Sequence, residues 1–362
     1  MEFNIMVIPG DGIGPEVTQE AVKVLNRIEQ RYGHKFNLAY DDIGGCAIDK
    51  YGTPVRKETL NKALTVNAIL FGAAGGPKWD DPEAKMRPED GILALRKDLG
   101  LFANLRPVKT SDHLVDSTVL KPEIIKNVDI LVIRELTGGL YFAKPKRRYS
   151  TRNGDSAVDT LRYNEHEIER VLRVGLELAK GRRKKVTSVD KANVLESSRL
   201  WRQVATRVSK EYPEIEMDHL YADACAAQLI QNPRRFDVIV AENMFGDILT
   251  DEAAVLAASM GMLPSASLAD IPIVGKQALG LYEPIHGSAP DIAGKKIANP
   301  LASILSAALM LRYSLGLTEE AVAIEHAVET VLSDGLRTTD ISKNDESPLN
   351  TSDMGDQVAR QI

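Results

Sequence analysis

The sequence Asn243-Met244-Phe245-Gly246-Asp247-Ile248-Leu249-Thr250-Asp251 places two carboxylates four residues apart, directly ahead of an apolar run at residues 253–263. If this segment is helical, Asp247 and Asp251 share one face and one turn of the helix. Two hard oxygen ligands on a rigid element form half of a magnesium or manganese site. The helix dipole alone also favours acidic residues in a first turn, so the stretch predicts either a metal site or an ordinary helix start.

The composition is that of a globular chain, with 362 residues, 44% hydrophobic and 27% charged side chains and a net charge of −6. This length predicts about two domains. The acidic balance disfavours nucleic-acid binding, and we interpret the basic segment 144–152 as a solvated loop or arm. No signal peptide and no membrane span are expected, and two cysteines without a motif fit a reducing cytoplasm.

The amino terminus combines an apolar run at residues 4–8 with the turn Pro9-Gly10-Asp11-Gly12-Ile13-Gly14-Pro15-Glu16 and a predicted helix at residues 15–32. A strand, a Gly-rich turn and a helix suggest a nucleotide-binding unit. However, Pro15 stands where the dinucleotide fingerprint requires its third glycine, so the Rossmann interpretation is weak. A tight turn that needs flexible backbone explains the glycines at least as well.

Arginines mark three further predicted elements. Arg96 lies on a predicted helix that starts near Glu89, and Arg106 lies in the extended segment 101–107. Arg134 comes directly after the apolar strand 128–133. Ligands of α/β sheets bind at the carboxyl ends of strands, and we expect all three arginines at such positions. Together they fit an anionic substrate better than three unrelated surface charges.

A lysine and a further aspartate follow two later strands. Lys191 comes directly after the strand 185–189, where a cation near a metal can act as a base. Asp223 opens an alanine-rich helix, and capping that helix is its alternative role.

The Gly-rich and charged segment 72–90 is either a lid or a plain surface loop. The polar tail after Ser342 is expected to make few contacts with the rest of the chain.

Taken together, these motifs resemble the isocitrate/isopropylmalate family of β-decarboxylating dehydrogenases. The resemblance runs over essentially the whole chain, because every motif occurs in the family order. The matching segments are 10–16, 101–107, 134–141, 189–193, 243–251 and 286–299.

The resemblance implies a role for each matching position. The catalytic residues would be Tyr141, as the acid, and Lys191, as the base that acts through water. The substrate carboxylates would be clamped by Arg96, Arg106 and Arg134, with Asp223 nearby. The metal, Mg²⁺ or Mn²⁺, would be held by Asp247 and Asp251 of one subunit and Asp223 of the other. NAD would bind Gly76, Glu89, Glu283, His286, Gly287, Ser288, Ala289, Asp291 and Asn299.

Two choices within the family depend on single side chains. A carboxylate at Asp291 would bind the ribose hydroxyls of NAD and repel the 2′-phosphate of NADP. Glu89, Ile92 and Leu93 would line the substrate pocket, and the apolar pair suits an isopropyl group, so 3-isopropylmalate is the expected substrate. D-malate or tartrate, homoisocitrate and isocitrate remain alternatives, and a non-catalytic regulatory subunit is a more remote one.

The fold implied by the resemblance is a two-domain, doubly wound α/β structure that is not a true Rossmann fold. Residues 1–101 and 258–362 would form the cofactor-binding domain, and residues 102–257 would form the dimerisation and metal domain, with an arm near 145–165. The active site would be shared by the two subunits of a homodimer, so a single chain would be inactive.

Overall fold

A ten-stranded mixed sheet forms the centre of the molecule, as seen in a computed structural model that describes residues 1–81, 83–272, 277–343 and 347–362. The strands are β1 Glu2–Gly10, β2 Lys35–Tyr40, β3 Ala68–Ala73, β4 Ala103–Lys109, β5 Asp129–Glu135, β6 Arg147–Thr151, β7 Gly154–Val158, β8 Lys185–Asp190, β9 Glu216–Tyr221, β10 Val238–Ala241, β11 Pro264–Leu268 and β12 Gly280–Pro284. The helices are α1 Gly14–Tyr32, α2 Gly45–Tyr51, α3 Lys57–Ala63, α4 Pro88–Asp98, α5 Pro122–Ile125, α6 Glu165–Lys180, α7 Glu196–Ser209, α8 Ala222–Gln231, α9 Asn243–Ala254, α10 Leu301–Tyr313, α11 Thr318–Ser333 and α12 Thr351–Gln361. The predicted α/β class is confirmed.

The strand order is β2-β1-β3-β12-β11-β4-β5-β10-β8-β9. At one end β2, β1, β3 and β12 are parallel neighbours, and at the other end β5, β10, β8 and β9 are parallel neighbours. Between them, β4 and β11 pair antiparallel with each other and with their outer neighbours. Since parallel neighbours end at a common edge, the residues after β5, β8, β9 and β10 are brought together there.

The ten strands come from two parts of the chain. The five strands from β2 to β11 come from residues 2–73 and 264–284, whereas the five from β4 to β9 come from residues 103–241. The division into two domains stays a prediction. The predicted arm contains the hairpin of β6 and β7, whose five cross-strand pairs join residues that are mostly exposed.

The amino-terminal turn is shaped by its glycines. Gly10 and Gly12 have φ values of 71° and 58°, in the left-handed region that favours glycine. A Cβ on Gly12 would lie 2.0 Å from the carbonyl oxygen of Ser288, so only glycine permits this close approach. The tight-turn interpretation therefore accounts for these residues. Helix α1 has Pro15 in its first turn and ends at Tyr32, and Gly33 caps it with a left-handed φ of 71°.

The two aspartates lie on helix α9, which ends at Ala254, and single 3₁₀ turns occupy much of the apolar run 253–263. The expectation that little tethers the tail after Ser342 was wrong. The tail after Ser342 contains α12, which packs on α1 and buries Met354 and Val358 completely. Pro82 in the predicted lid and residues 344–346 in the tail lie outside the described residues.

Both cysteines are reduced thiols, with Cys225 buried and Cys46 half-buried. Burial is the main cause that raises the pKa of each thiol to about 12. Within the described ranges, no helix combines the length and the apolar character needed to cross a bilayer.

Candidate active site

Helix α9 presents Asp247 to two functional groups at once. Its Oδ1 accepts a hydrogen bond from Nη1 of Arg134, at the end of β5, and its Oδ2 accepts one from the Tyr141 hydroxyl at 2.9 Å. Tyr141 lies in the single 3₁₀ turn Gly139–Tyr141 that follows β5. The guanidinium of Arg134 also lies over the Tyr141 ring, 5.6 Å from its centroid. The predicted metal ligand, anion-binding arginine and acid therefore form one hydrogen-bonded cluster.

Burial sets the protonation of this cluster. Desolvation lowers the pKa of Arg134 to about 10, against the opposing charge of Asp247, so the guanidinium stays charged at neutral pH. Desolvation also raises the pKa of Tyr141, and its hydrogen bond to Asp247 adds to that effect. Tyr141 is consequently a protonated hydroxyl under physiological conditions and is suited to donate a proton.

The other two arginines lie within reach of the same region but not at strand ends. Arg106 lies in the middle of β4, where its Nη1 donates to the Thr250 hydroxyl at 2.7 Å and to Asp251 Oδ1 at 3.3 Å. Arg96 lies on α4 and donates from Nη2 to Glu283 Oε1 at 2.6 Å. The expectation that all three arginines lie at the carboxyl ends of strands was wrong for these two, because Arg106 is the central residue of β4 and Arg96 belongs to a helix.

Lys191 and Asp223 form a separate pair. The Lys191 ammonium lies 2.7 Å from Asp223 Oδ1, and this hydrogen bond is the main cause that lowers the pKa of Asp223. Lys191 follows β8, and Asp223 lies in the first turn of α8. An apolar pocket of about 390 Å³ adjoins the pair, lined by Lys191, Val194, Leu195, Ala222, Asp223, Ala226, Phe245, Ile248 and Leu249.

No metal-binding group of three or more His, Cys, Asp or Glu side chains occurs within the part of the chain that the structure describes. Asp247 and Asp251 nevertheless lie four residues apart on α9, as predicted, with side chains that are 32% and 62% exposed. One chain thus offers two accessible carboxylates on one helix face, while Asp223 is engaged with Lys191.

The predicted cofactor loop meets the amino-terminal turn. The Ser288 carbonyl accepts a hydrogen bond from the amide of Ile13 at 2.8 Å. His286 lies next to it with a buried Nε2 that has no hydrogen-bond partner, and burial lowers the pKa of its imidazole. Gly287 has open space around it and Asp291 is exposed. Ala289 has a left-handed φ of 39°.

Some predicted ligand residues have contacts within the chain, and their role in cofactor binding stays a prediction. Asn299 is buried, accepts a hydrogen bond from the amide of Leu301 at 3.0 Å and donates to Asp340 at 3.0 Å, so its side chain organises the start of α10. Glu283 is the partner of Arg96. Gly76 precedes a 3₁₀ turn and adjoins the ring of Trp79.

The predicted substrate-lining residues divide by burial. Ile92 is only 7% exposed and packs in the hydrophobic cluster of β1 and β3, whereas Leu93 is half-buried. Glu89 is exposed, and a Cβ on Gly75 would lie 2.9 Å from its Oε1 and 3.7 Å from the Ser288 hydroxyl. Of the apolar pair, Leu93 is therefore the residue with surface available to a ligand.

Sequence reasoning missed the buried residues that hold these groups in place. The carboxylate of Asp11 accepts hydrogen bonds from the amides of Gly45, Cys46 and Gly75 at 2.7–2.9 Å. Asn243 accepts a hydrogen bond from Nε of Arg134 at 2.9 Å and donates to the Gly138 carbonyl at 3.0 Å. Their sequence signal was only a polar residue beside a glycine or at a helix start.

Known proteins resemble the whole chain. The family model for isocitrate/isopropylmalate dehydrogenase matches residues 4–358. The 3-isopropylmalate dehydrogenases of Dehalococcoides mccartyi strain CBDB1 and Anaeromyxobacter dehalogenans are 58% and 56% identical, and each comparison covers 100% of both chains. Among solved structures, isocitrate dehydrogenase from Methylococcus capsulatus has a TM-score of 0.86 at 34% identity, with 99% of each chain covered. A β-decarboxylating dehydrogenase from Thermococcus kodakarensis has a TM-score of 0.78 at 35% identity, with 99% of this chain and 96% of that chain covered.

These matches agree with the fold and extend over the segments that carry the clustered arginines, Tyr141 and the aspartates of α9. The chain belongs to the isocitrate/isopropylmalate dehydrogenase family and is an oxidoreductase of that family.

Proposed function

We propose that the protein catalyses the NAD-dependent oxidative decarboxylation of 3-isopropylmalate to 4-methyl-2-oxopentanoate and CO₂, the dehydrogenase step of leucine biosynthesis. The observation that carries this proposal is the cluster in which Asp247 accepts hydrogen bonds from both Arg134 and Tyr141. It combines an anion-binding cation, a proton donor and a carboxylate suited to a divalent metal. Relatives named 3-isopropylmalate dehydrogenase, at 53–58% identity, support the choice of substrate.

The arginines bind the two carboxylates of the malate. Arg134 and Arg106 are charged groups in largely buried surroundings, with side chains 7% and 12% exposed. Guanidinium groups hold carboxylates through charge-assisted and often bidentate hydrogen bonds. The two arginines bond Asp247, Thr250 and Asp251, and a bound dicarboxylate would replace part of these contacts.

The acidic residues fit a divalent metal that prefers oxygen ligands. Asp247 and Asp251 lie one turn apart and are accessible, and Asp223 of a second copy would complete the set. A bound Mg²⁺ or Mn²⁺ would supply Lewis-acid polarisation of the substrate hydroxyl. This arrangement requires a homodimer, in which Lys191 and Asp223 of one subunit reach the α9 helix of the other.

The loop 286–291 fits a dinucleotide. The unpartnered Nε2 of His286 and the open space at Gly287 leave room and a polar group for a ligand. The exposed carboxylate of Asp291 favours unphosphorylated ribose and hence NAD over NADP. NAD would accept the hydride from C2 of the substrate.

The chain's own side chains then handle the protons. Lys191 removes the proton of the C2 hydroxyl, through water, as the hydride leaves. After CO₂ departs, Tyr141 donates its hydroxyl proton to the carbon that carried the lost carboxylate.

A panel of acids tests the proposal. Purified protein with Mn²⁺ and NAD should turn over 3-isopropylmalate faster than D-malate, D-tartrate, homoisocitrate or isocitrate, and chelation of the metal should abolish turnover. Faster turnover of isocitrate or D-malate would refute the substrate assignment, and equal use of NADP would refute the argument from Asp291. Absence of turnover with every acid would favour the non-catalytic regulatory subunit.

A further inference from the structure

A buried tyrosine outside the reacting groups connects the two elements that carry Tyr141 and Asp247. Tyr163 is 8% exposed and precedes α6. Its hydroxyl donates to Glu135 Oε2 at 3.2 Å and accepts a hydrogen bond from the backbone amide of Asn243 at 3.0 Å. Burial raises the pKa of Tyr163, so this hydroxyl stays protonated and makes both bonds.

The Glu135 side of this connection holds the segment that leads to Tyr141. Glu135 is 0% exposed, and its carboxylate accepts hydrogen bonds from the amides of Thr137 and Gly138 at 3.0 and 2.7 Å. Arg170 donates to the same carboxylate at 3.2 Å. These bonds fix the backbone directly before the turn Gly139–Tyr141.

The ring of Tyr163 constrains the same segment by contact. A Cβ on Gly138 would lie 2.6 Å from Cε1 of Tyr163, and a Cβ on Gly139 would lie 2.5 Å from its hydroxyl oxygen. Gly139 has φ 71°, a left-handed conformation. The backbone before Tyr141 thus lies directly against the tyrosine ring. Trp201 also packs against the Tyr163 ring, at 5.8 Å between centroids in an edge-on arrangement.

The Asn243 side of the connection holds the start of α9. Asn243 is the first residue of that helix, and Asp247 follows one turn later. The same residue bonds Arg134 through Oδ1 and the Gly138 carbonyl through Nδ2. One phenolic oxygen therefore joins the carboxylate that shapes the Tyr141 turn to the amide that begins the Asp247 helix.

We propose that Tyr163 is a positioning residue, which sets the placement of the Tyr141 hydroxyl against Asp247 and thereby the delivery of the proton to product. The positioning of Tyr141 is inferred from the contacts of Tyr163 described above. Its effect on proton transfer rests on the proposed function. Small misplacements of reacting groups slow catalysis far more than they weaken binding.

The variant Tyr163→Phe tests the proposal, because it keeps the ring in the core and removes one oxygen. We expect kcat to fall roughly 10- to 100-fold while KM for the substrate changes less than about threefold. Tyr282→Phe is the matched control, since it removes an equally buried hydroxyl that bonds Ser314 at 2.7 Å, outside the cluster. The control should keep its kcat. An unchanged kcat in Tyr163→Phe would overturn the proposal.

A double-variant cycle separates positioning from general loss of stability. If Tyr163 acts through Tyr141, then Tyr163→Phe should slow the Tyr141→Phe enzyme by no more than about twofold. A further loss as large as in the wild-type background would show that Tyr163 acts elsewhere. Thermal unfolding of each variant confirms that the compared proteins are folded, and Glu135→Gln provides a second route to loosen the same turn.

A structural readout keeps the test independent of the assigned reaction. Crystal structures of wild type and Tyr163→Phe give the distance between Tyr141 Oη and Asp247 Oδ2, which is 2.9 Å here. We expect this distance to lengthen beyond hydrogen-bond range in the variant. An unchanged distance would overturn the positioning role even if the enzyme used none of the acids tested. Turnover by wild type with an unaffected variant would overturn the inference and leave the proposed function intact.

Discussion

Two cation–carboxylate pairs of this molecule differ in their surroundings. Arg134 and Asp247 belong to a network that also includes Asn243, Tyr141 and Gly138, and the Arg134 side chain is 7% exposed. Lys191 and Asp223 have side chains 26% and 70% exposed and adjoin an apolar pocket. The first pair is organised by its own chain, whereas the second faces outward. We propose that the second pair is placed for a neighbouring subunit, and this exposure supports the proposal.

Removing the carboxylate of the first pair should have the largest effect. Asp247→Asn leaves Arg134 without its charged partner and removes a proposed metal ligand. Because a catalytic metal contributes several kcal/mol to the transition state, kcat/KM should fall about 10³-fold or more. Steady-state rates with Mn²⁺ and calorimetric titration of Mn²⁺ measure the two losses. Asp334→Asn, at an exposed carboxylate, is the control and should change neither the rate nor Mn²⁺ binding. Full activity of Asp247→Asn would contradict the role proposed for Asp247.

Mixing two inactive variants tests whether the second pair serves another subunit. Lys191→Ala should lose about 10²- to 10⁴-fold in kcat as a missing general base. Refolded together with Asp247→Asn, it should give hybrids with one intact site and about a quarter of wild-type activity. Each variant refolded alone is the control. Absence of recovery would mean that both pairs serve a site within one chain.

A charge placed beside the second pair should weaken subunit association. Ile248 lies on α9 at 59% exposure and lines the apolar pocket next to Lys191. Ile248→Asp should raise the dimer dissociation constant at least about tenfold, since a buried unpaired charge is costly at an interface. Sedimentation analysis measures this change. Val322→Asp, at a residue of α11 that is 50% exposed, is the control and should leave association unchanged.

The smallest expected effect concerns Glu242, whose buried side chain caps helix α9, the helix that carries Asp247. Glu242 accepts the Phe245 amide at 3.0 Å, its Oε2 has no partner, and burial raises its pKa. A raised folded-state pKa contributes stability at low pH that is lost as pH rises through that pKa. The stability gain of Glu242→Gln over wild type should therefore grow as pH rises above the ordinary glutamate pKa of 4.5, to about 1 kcal/mol.

Thermal or denaturant unfolding at several pH values measures this gain. Glu319→Gln, at an exposed glutamate in the first turn of α11, should show no such pH-dependent difference. A pH-independent difference for Glu242→Gln would contradict the role of burial.

Helices and strands with periodic apolar residues, and side chains within short motifs, were predictable from the sequence. The strand before Arg134 and the helix predicted at residues 15–32 follow from apolar periodicity, and the helix was predicted within one residue of its observed bounds. The two aspartates of α9 followed from their spacing of four residues. In each case the signal lies within a few consecutive residues.

What the sequence could not predict depends on contacts between distant segments. Asp11 binds amides 34 to 64 residues away, and the Tyr163 hydroxyl bonds an amide 80 residues away. Helix α12 was missed because its buried residues are few and are spaced among polar ones, and its stability comes from packing on α1. The burial of Ile92 was not predictable either, because apolar side chains look alike in sequence whether they face a pocket or the core.

The raised pKa values of the two cysteine thiols allow a fluorescent dye to be attached selectively to an introduced cysteine. Thiol-specific dyes react with the thiolate, and a pKa of about 12 leaves almost none of that form near neutral pH. The buried Cys225 and half-buried Cys46 should therefore remain unlabelled in the folded protein. A single cysteine introduced at an exposed position such as Val322 would then carry one fluorophore per chain, without removal of either native cysteine.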